Sequence, residues 1–242
     1  MADDGPRLNS SIKEEIIRLT REFRVTVIHG ETGCGKSTLV PQLLLDEGMD
    51  GRRDARRILC SQPRRLATVA VAERVASLRG SQLGGEVGFA IGQRIVASKR
   101  TRLLFCTAGT LLEKIRSRGE RALRNVRYVV VDEVHERSSE NDLLLASLKQ
   151  MLVFASGRRR RGGSGGDEQH MRRVNLVIMS ATFDVDRYRR YFSAIPDAGA
   201  RCVTLQNFRP PSAGSGSGGG LLASLADQQA RTAITDNYLE QA

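Results

Sequence analysis

The chain has 242 residues, of which 40% are hydrophobic and 27% charged, which is enough to form a globular domain with a sizeable core. Its formal net charge is +11 and its pI about 10.2, so nucleic acid is the expected partner. Aromatic residues make up only 5% and tryptophan is absent, which argues against an extended base-stacking surface.

A repeated order of apolar, β-branched runs and amphipathic segments predicts the secondary structure. Ser10 can cap a first helix, in which Ile12, Ile16 and Leu19 keep helical spacing. The predicted strands are 24–29, 57–61, 102–107, 126–132 and 174–180. The further predicted helices are 37–46, 66–78, 109–117, 141–154 and 185–192. Because several strands are apolar throughout and alternate with helices, the sequence predicts an α/β fold, a mainly parallel sheet with helices on both faces.

Two segments interrupt this alternation. Residues 156–173, SGRRRRGGSGGDEQHMRR, lie between a predicted helix and strand that a short turn could connect, so we predict a disordered basic insertion. It is either a solvated loop without a role, the interpretation we favour, or an auxiliary phosphate contact. Residues 209–242 contain a Gly/Ser-rich linker and a tail too short for a domain. The predicted domain therefore spans residues 1–208.

The four cysteines, at positions 34, 60, 106 and 202, form no C-x-x-C pair and accompany no histidine cluster. The sequence thus predicts neither a zinc site nor a disulfide framework, and we expect an intracellular location, nucleus or cytoplasm. The polar start of the chain does not resemble a signal peptide. Since no apolar run approaches the ~18 residues that cross a bilayer, we expect no membrane partner.

The stretch GETGCGKST, residues 30–38, has the spacing of a phosphate-binding loop and lies between a predicted strand and a predicted helix. Its glycines let successive backbone N–H groups face phosphates, and the following helix N-terminus adds positive potential. Lys36 is expected at the β- and γ-phosphates of ATP, and the Ser37 hydroxyl on Mg²⁺. The predicted nucleotide-binding residues of the loop are Gly30, Glu31, Thr32, Gly33, Cys34, Gly35, Lys36, Ser37 and Thr38.

The run VVVDEVHERS, residues 129–138, supplies the acids that such a loop needs. Asp132 ends a predicted buried strand, where its carboxylate is expected to hold Mg²⁺ through water. Glu133 is placed to orient and deprotonate the attacking water. His135 follows on the same turn, and we interpret it as a link between the nucleotide and the neighbouring motifs.

Together these stretches resemble the DEAH/RNA helicase A group of superfamily 2 helicases, over roughly residues 8 to 208. In family order and spacing, GETGCGKST resembles motif I, SQPRR (61–65) motif Ia, CTAGTLL (106–112) motif Ib, DEVHERS (132–138) motif II and SAT (180–182) motif III. The resemblance implies a RecA-like P-loop domain. It also implies binding of ATP or another nucleoside triphosphate with Mg²⁺, and an ATP-dependent RNA helicase activity.

The resemblance implies roles for further residues. Four of them would contact the sugar-phosphate backbone of single-stranded RNA, or of DNA, without reading its sequence: Arg64, Arg65, Thr107 and Gly109. Arg74 would stack on the adenine. Ser180 and Thr182 would couple the hydrolysis state of the nucleotide to the binding of the nucleic-acid strand. The catalytic residues would then be Glu133, His135, Ser180 and Thr182.

The chain also departs from the family pattern. Leu39 stands where the family usually has Gln, and Ser61 where it has Thr. Family members carry arginine fingers in a second RecA-like domain, in a Q-R-x-G-R-x-G-R motif that nothing here matches. The resemblance therefore implies the ATP-binding half of a helicase, which works with a second domain in cis if the chain is a fragment.

Two alternatives to this interpretation stay open. One is a non-enzymatic nucleotide- or RNA-binding module that has lost the second domain. The other is an unrelated P-loop ATPase, such as a transporter subunit, although the L-S-G-G-Q stretch expected of a transporter is missing.

Overall fold

The computed structural model describes residues 10–31, 33–47, 56–157, 174–181, 185–195 and 201–205. The strands in these ranges are β1 (Val25–Gly30), β2 (Arg57–Gln62), β3 (Val87–Ile91), β4 (Arg94–Val96), β5 (Leu103–Thr107), β6 (Val126–Val131), β7 (Asn175–Ser180) and β8 (Arg201–Leu205). The α-helices are α1 (Ser10–Glu22), α2 (Lys36–Glu47), α3 (Arg65–Leu78), α4 (Ala108–Arg118), α5 (Ser139–Gly157) and α6 (Val185–Phe192).

The eight described strands form one sheet in the order β4-β3-β5-β2-β6-β7-β1-β8. Among them only the pair β3 and β4 is antiparallel, and every other neighbouring pair is parallel. The predicted α/β class and its mainly parallel sheet are therefore confirmed.

The hydrophobic core lies on both faces of this sheet. Along β6, Tyr128 and Val130 pack with the helices α1 to α3, whereas Val129 and Val131 pack with α4 to α6. All four side chains are fully buried. A strand covered on both faces has no solvent side, which explains why these segments read as continuous apolar runs rather than as alternating ones.

The structure adds three strands to the five that the sequence predicted. β3 and β4 form a hairpin whose two-residue turn, Gly92-Gln93, has a positive φ of 56° at Gly92. We did not predict this hairpin, although the run VGFAIGQRIV shows apolar residues on both sides of a Gly-containing turn. The third strand, β8, occupies the sheet edge beside β1.

Several predicted segments differ in their bounds or fall outside the description. α5 runs from Ser139 to Gly157, longer at both ends than the predicted 141–154. The rest of the predicted basic insertion, 158–173, and the predicted linker and tail lie outside the described residues. Among the helices that are described, none combines the length and the apolar character needed to cross a membrane.

A buried carboxylate fixes the end of α2 that is remote from the phosphate loop. Glu47 Oε1 accepts hydrogen bonds from Arg21 Nε and Arg127 Nη2, both at 2.7 Å, and its Oε2 accepts one from the Tyr128 hydroxyl at 3.0 Å. Its side chain is only 2% exposed, so these donors balance a charge that would otherwise be costly to bury. The network ties α2 to α1 and to β6.

Candidate nucleotide and nucleic-acid site

The functional motifs follow the carboxyl ends of five parallel strands, β1, β2, β5, β6 and β7. In a parallel sheet these ends lie at one edge, where ligands of α/β proteins bind. The fold therefore brings the phosphate loop, the acidic run and the three shorter motifs to the same edge of the molecule.

The phosphate loop connects β1 to α2 through two glycines with left-handed backbone angles. Gly33 has a φ of 82° and Gly35 a φ of 85°, conformations that side chains with a Cβ disfavour. The helix begins at Lys36, and the Thr38 hydroxyl donates a hydrogen bond to the Gly35 carbonyl at 3.0 Å. Thr32 lies outside the described residues.

Lys36 carries its positive charge inside the loop. Its side chain is buried, and Nζ donates to the carbonyl oxygens of Gly30, at 2.5 Å, and Glu31, at 2.8 Å. The thiol of Cys34, also buried, lies 3.8 Å from the same nitrogen. The loop thus surrounds the Lys36 ammonium group, and the first turn of α2 begins beside it. This arrangement is suited to an anionic ligand.

Asp132 lies at the end of β6, fully buried and held by three donors. Its Oδ2 accepts a hydrogen bond from Gln62 Nε2 at 2.7 Å, and its Oδ1 accepts one from the Glu133 N–H at 2.8 Å. The Ser37 hydroxyl also donates to this carboxylate. Burial raises the pKa of Asp132 above its ordinary value, although the three hydrogen bonds and the charge of Lys36 oppose that shift.

Gln62 is a site residue that the sequence analysis missed. It is buried at the end of β2, and its amide orients the Asp132 carboxylate. The available signal was a polar amide at the end of an otherwise apolar buried strand. Such a group needs a hydrogen-bond partner from another element.

Glu133 adopts a left-handed backbone conformation, with φ at 50°, directly after Asp132. Its buried Oε2 lies 3.2 Å from His135 Nδ1, yet it accepts no hydrogen bond within the described part of the chain. The reason is that His135 Nδ1 itself accepts the Ala181 N–H, at 3.3 Å. Burial and the neighbouring charge of Asp132 raise the pKa of Glu133, while His135 and Lys36 lower it to a smaller extent.

The motif III segment at the end of β7 contacts two histidines. Ser180 is fully buried and pairs with His29 in the register of β7 and β1. The backbone of Ala181 contacts His135 through its N–H and His29 Nε2 through its carbonyl oxygen, the latter at 3.0 Å. The structure therefore places Ala181, the residue after Ser180, against both His135 and His29. The linking roles predicted for Ser180 and His135 stay predictions. Thr182 is outside the described residues.

A groove of about 400 Å³ brings together three of the four residues predicted to contact nucleic acid, Arg65, Thr107 and Gly109. The Thr107 side chain caps α4, and Gly109 leaves room for the nearby Glu140 carboxylate. The β3–β4 turn at Gly92, which the sequence analysis did not predict, also lines the groove. So do the acidic residues Glu113 and Glu140.

The remaining predicted contacts lie elsewhere. Arg64 is highly exposed and forms an ion pair with Glu136 of the acidic run, at 3.2 Å, rather than lining the groove. Arg74 lies exposed on α3. Their contacts with a nucleic acid and with adenine stay predictions.

Comparison with known proteins identifies this arrangement. The family model described as DEAD/DEAH box helicase matches residues 10–190. The chain is 42% identical over 191 residues to rice "Zinc finger CCCH domain-containing protein 4". It is 39% identical over 185 residues to human "Putative ATP-dependent RNA helicase DHX57". It is also 43% identical over 185 residues to Arabidopsis "DExH-box ATP-dependent RNA helicase DExH8".

These matches cover 78%, 76% and 76% of the present chain, but only 17%, 12% and 16% of the three relatives. The region that the family model matches, residues 10–190, contains the phosphate loop, the acidic run and the groove residues. The chain belongs to the DEAD/DEAH box helicase family.

Proposed function

We propose that this domain binds and hydrolyses Mg²⁺–ATP and couples that reaction to movement along, or remodelling of, single-stranded RNA. The observation that carries the proposal is the convergence of buried Lys36, the hydrogen-bonded pair of Ser37 and Asp132, and Glu133 at one edge of the sheet. Together these groups provide the positive charge, the oxygen ligands and the base that phosphoryl transfer needs.

The residues present fit a magnesium ion. The Ser37 hydroxyl and the Asp132 carboxylate are in hydrogen-bond contact, so two hard oxygen donors are already adjacent. The described residues contain no cluster of three or more His, Cys, Asp or Glu side chains suited to a metal. Magnesium suits such a sparse set, because it usually combines one or two protein ligands with phosphate oxygens and water. When bound, it would neutralise charge on the phosphates.

Glu133 is the best candidate for the base in this site. Its Oε2 is buried without a hydrogen-bond donor among the described groups, so this oxygen is available to accept a proton from water. The raised pKa makes it a stronger base than an exposed carboxylate. His135 Nδ1, 3.2 Å from this oxygen, accepts the Ala181 N–H of the motif III segment and so leaves the oxygen without a donor.

The groove beside β5 supports the proposed contact with a nucleic acid strand. Arg65 supplies positive charge, and Thr107 stands at the N-terminus of α4, where backbone N–H groups favour phosphate. The two relatives named as RNA helicases favour RNA as the strand. We propose contact through the sugar-phosphate backbone alone, because a charged side chain and helix N–H groups bind phosphates without reading the base sequence.

Replacing Lys36 by Ala should weaken nucleotide binding by about 10- to 100-fold, since a hydrogen bond to a charged group is worth about 1.5–3 kcal/mol. Titration with a fluorescent ATP analogue measures the change. Lys114→Ala is the matched control, because it removes a half-buried lysine from α4 and should leave nucleotide affinity intact. An unchanged affinity in the Lys36 variant would show that the loop is not the nucleotide site.

Binding of single-stranded RNA should be weak and should fall steeply with salt, because few phosphates are neutralised. Arg65→Ala should reduce the slope of log affinity against log salt by about 0.7, the contribution of one phosphate contact on a single strand. Filter binding over a range of potassium concentrations measures that slope. Arg190→Ala on α6 makes the same change in net charge away from the groove, and an equal effect there would argue against the groove.

A further inference from the structure

His29 is a polar residue one position before the end of β1, immediately before the phosphate loop. No motif of the sequence analysis includes it. Its neighbours in the strand, Val25, Val27 and Ile28, are fully buried, whereas His29 is half-buried. A polar ring at the end of such a strand needs a hydrogen-bond partner. It has one in the carbonyl oxygen of Ala181, 3.0 Å from Nε2.

This contact crosses from one motif to another. His29 and Ser180 are partners in the parallel register of β1 and β7, so the side chain reaches the residue that directly follows its strand partner. Because a carbonyl oxygen can only accept, His29 Nε2 must carry the proton and donate it. His135 contacts the opposite side of the same residue, with Nδ1 accepting the Ala181 N–H.

The position of His29 in the chain gives this contact its significance. The next residue, Gly30, has the carbonyl oxygen that accepts a hydrogen bond from Lys36 Nζ. A phosphate that attracts Lys36 competes with that carbonyl for the ammonium group. Phosphate binding would therefore change the hydrogen bond of Gly30, the residue next to His29, and His29 is the side chain that contacts Ala181.

We propose that His29 is a positioning residue, which fixes the Ala181 peptide from the phosphate-loop side and makes the segment after β7 respond to occupancy of that loop. The inference rests on the proposed nucleotide binding. It assigns to His29, which bonds the Ala181 carbonyl oxygen, a role separate from that of His135, which bonds the Ala181 N–H from the side of the acidic run. The two histidines join the three motifs through one backbone residue.

The Ala181 amide tests this role, because its N–H lies on the same residue as the carbonyl oxygen that His29 bonds. In ¹⁵N–¹H spectra of the full 242-residue chain with ¹⁵N-alanine, the Ala181 peak should shift when a magnesium-bound, non-hydrolysable ATP analogue saturates the loop. The shift should be lost in His29→Leu, which has no donor. It should be retained in His29→Gln, because a glutamine amide can donate to the same carbonyl oxygen. Fluorescent titration of each sample should show nucleotide affinity unchanged within about twofold, well under the tenfold that 1.4 kcal/mol represents.

Asn175→Leu is the matched control for simple loss of a partly buried hydrogen bond. Asn175 lies at the opposite end of β7 and donates from Nδ2 to the Thr20 carbonyl oxygen of α1. This variant should keep the Ala181 shift, and an equal loss there would assign the effect to general destabilisation.

Two results would overturn the role of His29: an Ala181 peak that does not move in the saturated wild-type chain, or one that moves equally in His29→Leu. The first needs no variant, so it applies even if His29→Leu fails to fold. Failure of the wild-type chain to bind the analogue in the titration would instead count against the proposed function.

Discussion

The 242-residue chain alone is expected to bind ATP but to hydrolyse it about 10³- to 10⁵-fold more slowly than when a second RecA-like domain is present. Phosphoryl transfer needs positive charge on the transferring group beyond a lysine and a metal, and an arginine finger supplies an acceleration of that size in related P-loop enzymes. The corresponding barrier is roughly 4–7 kcal/mol, at about 1.4 kcal/mol per tenfold.

The arginine of the acidic run is not in a position to replace that finger. Arg137 has a left-handed backbone, and its guanidinium forms a two-pronged ion pair with Asp142 of α5, with contacts of 2.9 Å from Nη2 and 3.1 Å from Nε. The side chain is therefore committed to its own domain. Such bidentate geometry is among the stronger kinds of surface ion pair.

The rate of steady-state ATP hydrolysis by the chain alone, with and without single-stranded RNA, tests this expectation. The same assay is then repeated with a second RecA-like domain from a relative added in trans, which should raise the rate. RNA-stimulated turnover at several per second by the chain alone, within the range of about 1–10³ s⁻¹ typical of enzymes, would contradict it. That result would favour pairs of this chain in which one copy supplies an arginine to the other.

Replacing Glu133 by Gln should reduce hydrolysis by about 10²- to 10⁴-fold, the usual contribution of a general base, and leave nucleotide affinity nearly unchanged. The amide keeps the shape of the side chain but cannot accept the proton of water. Single-turnover hydrolysis, with the second domain present in trans, gives a rate large enough to show the loss. Glu136→Gln is the matched control, because Glu136 pairs with Arg64 at the surface.

The pH dependence provides an independent check on the same residue. Burial and Asp132 raise the pKa of Glu133, so the ionised base is lost at a higher pH than for an exposed glutamate, whose pKa is about 4.3. Hydrolysis should therefore fall on the acid side through an inflection above that value. An inflection at or below it, or a wild-type rate in Glu133→Gln, would exclude Glu133 as the base.

The sequence predicted those parts of the site in which the motif residues also determine the local backbone conformation. Gly33 and Gly35 are needed because only glycine enters their conformations at low cost, and Asp132 follows a strand whose apolar run fixes where it ends. In these cases spacing along the chain determines position in space. The predicted phosphate loop and acidic run therefore lie at the same edge of the sheet.

The residues that the sequence did not reveal depend on contacts between elements distant in the chain. Gln62 reaches Asp132 across 70 positions, and His29 reaches Ala181 across 152. The local sequence marks each as a polar residue at a strand end but does not show which distant residue it contacts. The different directions of Arg64 and Arg65 likewise follow from the geometry of the β2–α3 connection, with Arg64 on Glu136 and Arg65 in the groove.

The strand order separates the two binding regions of this domain. From β5, which leads into the groove, to β1, which leads into the phosphate loop, there are four strand spacings, or about 19 Å at roughly 4.8 Å each. The proposed nucleotide and RNA sites are therefore far enough apart along the sheet for both ligands to be bound at once. In that ternary complex, thermodynamic linkage requires reciprocity: whatever factor ATP applies to RNA affinity, RNA must apply to ATP affinity. Measuring either binding equilibrium with and without the other ligand gives the coupling free energy between the two sites.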